Sequence, residues 1–320
     1  MIKNYIKIAW RNLSKNKVYS IINIGGLAIG IAACLLILQY VTFELSYEDF
    51  HTKKDRIYRV KQDRYDNGKL STEWAAGAFA VGNNLAEAIP EIEDYVKVVE
   101  TGDLIVKIQD EVLKIEKVFF AGNSFFSIFS YPLLDGDINT VLMEPYTAAI
   151  SETTALKIFG TRDAVGKSVL ISGGHTYKIK GVFKDMPSNT QLKPNFLASY
   201  ASFVEQVKAN SQGDEVQDPE TWWTSDGCLT YFLLQKGAHP KKVEAKFPPI
   251  VDQGIGEFMK RYNASVTYSL QSLTDIHLYS NYIMEPAPNG DGKTVYLLIG
   301  IAFFILLIAL PPPKVWGAIA

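Results

Sequence analysis

Residues 160–168 come nearest to a recognisable chemical motif. Gly160, Gly166, Lys167 and Ser168 are the residue types with which a phosphate loop cradles a nucleotide. The spacing is wrong, with one residue too many between the glycines. The stretch that follows, VLISGGHTYKIKGVF, alternates as strands, whereas a bound phosphate needs a helix N-terminus there. Nucleotide binding is not expected, and Lys167→Ala should disturb local packing at most. The four histidines, His51, His175, His239 and His277, are isolated from one another in sequence, and no H-E-x-x-H, C-x-x-C or G-x-S-x-G pattern occurs. Of the two cysteines, Cys34 lies in an apolar run and Cys228 in an acidic region, so both read as free thiols. No catalytic, cofactor or metal-ligating set is expected, and the chain reads as a non-enzyme, although folding can gather residues that sequence separates.

The elements that position everything else are apolar. Residues 18–43 hold 26 residues without a charge. As a helix they reach about 39 Å, enough to cross a hydrocarbon core of about 30 Å with some tilt. Ile31-Ala32-Ala33-Cys34 has the look of a lipoprotein cleavage site, and the basic start that of a signal peptide. The apolar run nevertheless continues nine residues past Cys34, and its length exceeds a signal core of about 7–15 residues. A retained membrane helix is the reading. Gly26 and Gly30 form a G-x-x-x-G pair with Ala33 one turn on, a face on which another membrane helix can pack closely. Gly25, Gly26 and Gly30 make no dinucleotide fingerprint, since no strand flanks them.

Charge gives the direction. Lys3, Lys7, Arg11, Lys15 and Lys17 precede the span without an acid, while Glu44, Glu48 and Asp49 follow it, so the N-terminus is expected in the cytoplasm and residues 44–293 outside it. Within residues 1–17, Ile2, Tyr5, Ile6, Ala9 and Leu13 share one helical face and the basic residues the other. That is an interfacial amphipathic helix, with Trp10 in the headgroup layer and the basic side on anionic lipid. A second uncharged run, 294–310, spans about 26 Å as a helix and should return the chain to the cytoplasm. Residues 311–320, opening with three prolines, read as an irregular terminus.

The 48% hydrophobic content of the 320 residues averages unlike parts. All 34 acidic residues and 26 of the 32 basic ones fall in 44–293, which is net −8, so no basic groove for nucleic acid is present. That segment alternates strand and helix patterns. Strands are expected at 57–60, 95–99, 229–234 and 266–270, with helices at 79–89 and from Pro240, giving two β-α-β units that share one mixed sheet. Asp66-Asn67-Gly68 marks a turn, hairpins turn at 110–111 and 173–174, and Ser151 caps a short helix that ends at Gly160. Residues 185–195 and 209–219 read as surface loops, and Trp222-Trp223 as packing at a seam. The fold class is therefore a membrane protein in which two transmembrane helices flank an α+β extracytoplasmic domain. Its two β-α-β parts cover about 50–105 and 225–285, with strand-rich residues at about 106–224 between them.

Several stretches carry a family resemblance. They are Ala9-Trp10-Arg11-Asn12-Leu13, Ile22-Asn23-Ile24-Gly25-Gly26-Leu27, Glu44-Leu45-Ser46-Tyr47-Glu48-Asp49-Phe50-His51 and Asp55-Arg56-Ile57-Tyr58-Arg59-Val60, joined later by Phe159-Gly160, Asp163-Ala164-Val165-Gly166-Lys167 and Leu273-Thr274-Asp275-Ile276-His277-Leu278. Together they resemble FtsX-like, MacB-type ABC transporter permeases of the Bacteroidetes, over residues 1 to about 310. The resemblance implies a bacterial inner-membrane permease with no ATPase activity of its own and a MacB-like periplasmic core domain, in which about 50–105 and 225–285 are porter-like and about 106–224 form an inserted subdomain. It implies a cytoplasmic ABC ATPase as partner, a dimer of permease units in the lipid bilayer, and a periplasmic adaptor or lipoprotein as a further partner. The transport class would be export of antimicrobials, peptides or lipoproteins. Family members carry further membrane helices beyond the second, so a truncated permease, unable to couple to its ATPase, is the expectation. The alternative is an extracytoplasmic sensor domain between two membrane helices.

Overall fold

A computed structural model describes residues 4, 11, 14, 15, 17–108, 111–171, 174–211 and 217–309. The amphipathic face expected at 1–17, with Lys3, Lys7 and Trp10, lies outside the described residues, as do Asp110, Gly173 and the terminus 311–320. The chain divides into two compact units, one drawn from Met1–Ser46 and Gly290–Ala320, the other Tyr47–Asn289.

In the first unit, α1 (Lys17–Leu45) is apolar on every side. An 18-residue window within its segment Ser20–Leu45 has a mean hydropathy of 2.5, and side chains such as Ile21 (70% exposed) point outward. A soluble core helix would bury them, and by length and composition this one suits a membrane span. The return helix runs over Gly292–Ala309. Its apolar stretch is Gly292–Ile308, and among the described residues α1 alone is long and apolar enough to cross a membrane. The second span expected at 294–310 is thus not shown. The helix starts two residues earlier than expected because Asp291 caps it, taking the Lys293 N–H at 3.0 Å and the Thr294 hydroxyl at 2.8 Å.

The second unit is built on a 12-stranded sheet. After the turn that follows α1, β1 (Ile57–Asp66) and β2 (Lys69–Trp74) form a hairpin. Asn67 and Gly68, at φ 51° and 73°, take the left-handed conformation that its two-residue turn demands. Next come β3 (Gly77–Ala78), α2 (Val81–Ala88) and β4 (Ile92–Ile108). Much later β11 (Asp226–Leu234) and β12 (Ala264–Ser272) complete this half, in the order β12-β1-β11-β4 with every neighbouring pair antiparallel. β1 and β4, joined through α2, therefore run parallel with β11 between them. β11 and β12 likewise flank β1. These are two interleaved split β-α-β units.

Between them the chain adds β5 (Glu111–Ala121), β6 (Leu133–Gly136), β7 (Thr147–Ser151), α3 (Glu152–Phe159), β8 (Ser168–Ile171), β9 (Thr176–Phe183), β10 (Phe196–Ser199) and α4 (Tyr200–Ala209). Pairing runs β4-β5-β10-β7-β9-β8 and back to β4, so these strands close into a small barrel. Val106, Ile115, Val169, Tyr177, Ile179 and Phe196 fill it. The boundary expected at residues 105–106 falls inside β4, which serves both halves through register shifts around Gly102. As expected, the Ser151 hydroxyl caps α3 by accepting the Thr154 N–H, and Gly160 ends it at φ 69°.

β11 (Asp226–Leu234) is buried on both faces. Its Tyr231 and Leu233 enter one core with Phe125 and Phe129, and Phe232 and Leu234 enter another with Leu85, Phe247 and Tyr268. The second core lies under a broken helical run, 240–261, that leads into β12 (Ala264–Ser272). Trp222 and Trp223 both pack, Trp222 edge-on to Phe79 and Trp223 against the second core.

Candidate functional site

Three residues after α1 ends, Glu48 takes a left-handed backbone conformation, φ 62°, that costs a non-glycine residue energy. What holds it there is its own carboxylate, 2% exposed. One oxygen accepts the Gln191 N–H at 2.6 Å. The other accepts the Thr190 hydroxyl at 2.8 Å and bonds His51 Nε2 at 3.0 Å. The Glu48 N–H in turn donates to the Asn189 carbonyl at 3.1 Å. His51 Nδ1 accepts the Ser130 N–H at 3.0 Å, so the ring proton sits on Nε2, facing the carboxylate. Phe50, Phe129 and Tyr131 surround the imidazole. The Tyr131 phenol, bonded to Thr190 and the Leu192 carbonyl, is pushed well above its usual pKa by burial and then by the Glu48 charge.

The same loop grips the far end of the unit. Gln191 Nε2 donates to Asn289 Oδ1 at 2.8 Å and lies 3.2 Å from His277 Nδ1, and the His277 ring stacks on Tyr47. Asn289 Nδ2 donates to the Ser280 carbonyl at 2.8 Å. Beneath it Arg59, wholly buried on β1, makes a two-pronged bond to Glu285 at 2.5 and 2.9 Å and reaches Gln271 and Ser280. Residues 47–51, where the chain enters this unit, and 280–289, where it leaves, are thus tied to one buried loop and one central strand.

This arrangement positions the chain. Every Glu48 oxygen is committed as an acceptor, and among the described residues no group of three or more His, Cys, Asp or Glu could hold a metal. Lys167, from the near phosphate loop, lies over the Phe159 ring at 5.2 Å, and Ser168 opens a strand. Of the residues singled out in sequence, Arg11, Lys15 and Lys17 are exposed. A Cβ on Gly30 would meet Ile305 of the return helix at 3.5 Å, while one on Gly26 meets nothing within 4 Å. Cys34, one turn from Gly30, puts its Sγ 3.8 Å from the Ala302 carbonyl. Ala33 is half-buried. The sequence reading missed Glu48, Thr190, Gln191 and Arg59 as a set. Residues 185–195 read as a surface loop, yet Thr190, Gln191 and Leu192 are buried. The one local signal was the carboxylate–imidazole spacing of Glu48 and His51.

The family model described as MacB-like periplasmic core domain matches residues 20–250. No curated protein matches the chain. Among solved structures, a domain attributed to a permease protein of Porphyromonas gingivalis has a TM-score of 0.59 at 20% identity, covering 78% of this chain and 98% of that one. The periplasmic region of MacB from Actinobacillus actinomycetemcomitans has a TM-score of 0.43 at 10% identity, covering 65% and 87%. The extracellular domain of the noncanonic ABC-type transporter YknZ from Gram-positive bacteria has 0.45 at 13%, covering 67% and 99%. At these identities the likeness is one of fold.

Proposed function

The chain belongs to the MacB-like periplasmic core domain family of ABC transporter permeases, and from that premise we propose that it passes ATPase-driven motion from the cytoplasm to a periplasmic domain for export. In this reading α1 and the return helix both cross the inner membrane, residues 44–293 lie in the periplasm, and the motor is a separate cytoplasmic ABC ATPase. The permease acts as a dimer, with a periplasmic adaptor or lipoprotein as a further partner, and the cargo is an antimicrobial, a peptide or a lipoprotein.

The observation that carries this proposal is the buried tie between the unit's two chain crossings. Glu48 fixes the segment after α1, and Gln191 with Arg59 fixes the segment before the return helix. A domain gripped at both crossings moves as a body when its helices move, because packed interiors transmit displacement instead of absorbing it. A flexible tether would dissipate it.

The test is made on the membrane-embedded permease with its ATPase. The wild-type protein should co-isolate with the ATPase. Glu48→Ala should retain that ATPase and its hydrolysis while losing extrusion of the cargo. Extrusion at the wild-type level in the variant would remove the tie from the mechanism. Failure of any ATPase to co-isolate would favour a sensor.

A further inference from the structure

β12 ends the sheet, and among the described residues no strand pairs with its outer edge. Two hydrogen bonds fix which of its main-chain groups face outward. The Asn67 N–H donates to the Asn263 carbonyl at 3.0 Å, so odd-numbered residues of the strand bond to β1. The Leu270 N–H donates sideways to Glu244 Oε2 at 3.2 Å, so even-numbered residues point away from β1. With the register Arg64↔Val266 and Gln62↔Tyr268, the N–H and C=O groups of Ala264, Val266 and Tyr268 open outward.

They open into a groove of about 460 Å³. Its far wall is the broken helical run, where Phe247, Val251, Ile255 and Met259 face Val266 and Tyr268. A wide turn at Asp252–Gly256 displaces this wall from a regular helical path. The rim charges, Asp252 and Lys260, pair at 3.4 Å and cancel. β12 itself, ASVTYSLQS, has neither charge nor proline, so it lacks the devices that blunt an edge strand. Glu244 closes the edge only at Leu270.

We propose that the β12 edge and its groove bind an uncharged, extended peptide segment of a partner protein as an added strand, with apolar side chains at alternate positions entering the groove. Main-chain donors and acceptors repeating every second residue match another strand, and neither a lipid nor a compact small molecule presents that repeat. The open stretch of residues 264–268 spans about 17 Å, room for a partner segment of about five residues.

The probe is an acetylated and amidated hexapeptide of alternating threonine and valine, titrated into the full chain in detergent, with amide exchange read at residues 264–268. Saturable binding that slows exchange at Val266 and Tyr268 is expected. Val266→Pro removes one outward N–H at a position where an edge strand tolerates proline, and should weaken binding roughly tenfold. The same peptide N-methylated on its valines should not bind; if Val266→Pro fails to fold, this comparison decides alone. Equal binding by a folded Val266→Pro chain or by the methylated peptide would overturn the proposal, as would absence of binding. Self-association of the chain that Val266→Pro abolishes would assign the edge to a second copy and overturn it too.

Discussion

Glu48 combines a strained backbone with a carboxylate that three groups need: the Gln191 N–H, the Thr190 hydroxyl and His51 Nε2. Glu48→Ala strands all three in a buried site and should cost about 3–5 kcal/mol in urea unfolding of the full chain. Glu48→Gly loses the same bonds but relieves the left-handed backbone, and should be less damaging by about 1 kcal/mol. The reverse order would mean that the conformation is not strained. A second residue-scale expectation concerns Cys228, whose thiol burial pushes up to about 11, against the opposing pull of the Lys97 ammonium. The folded state thus holds this proton more tightly than the unfolded chain, whose thiol has its ordinary value of 9.0. The stabilisation is complete below that value and is lost as pH rises through about 11. Wild type should therefore lose stability more steeply than Cys228→Ala between pH 9 and 11. Parallel unfolding curves for the two proteins would contradict the buried, neutral thiol.

At the scale of elements, the two glycines on α1 separate. Gly30 faces Ile305, so Gly30→Leu should push the return helix away and reduce cysteine crosslinking between the two helices. Among the described residues nothing lies within 4 Å of a Cβ on Gly26, so Gly26→Leu should leave that crosslinking unchanged and weaken only contacts with some other helix. Equal effects of the two would mean that they share one interface. Local signals placed most elements well: Asn67-Gly68 forced the first hairpin, and Ser151 and Gly160 bracketed α3. They failed where tertiary pairing sets the limits. β4 runs for 17 residues across the expected subdomain boundary. Its last part pairs with β5, the next strand, as the expected hairpin, but also with β8, and its first part pairs with β11, both too far along the chain for a local window to contain.

For the whole molecule, the charge asymmetry about α1 predicts that residues 44–293 face the periplasm. A periplasm-dependent reporter inserted at the Asn67–Gly68 turn should be active, because that turn is a surface hairpin whose extension leaves the ladder intact. Activity of a cytoplasm-dependent reporter there would reverse the topology. By itself the sequence determined the long apolar helix, the excess of positive charge before it, the Asn67-Gly68 turn and the caps of α3. Each of these depends on composition or on neighbours within a few residues. Only the tertiary structure decided that the inserted strands close into a barrel and that β12 ends the sheet with its main chain open. It alone buried a polar loop to hold Glu48, 142 residues away from Thr190, and brought Arg59 to Glu285 across 226 residues. Such contacts form because a buried charge must find a partner, and that requirement fixes no spacing along the chain.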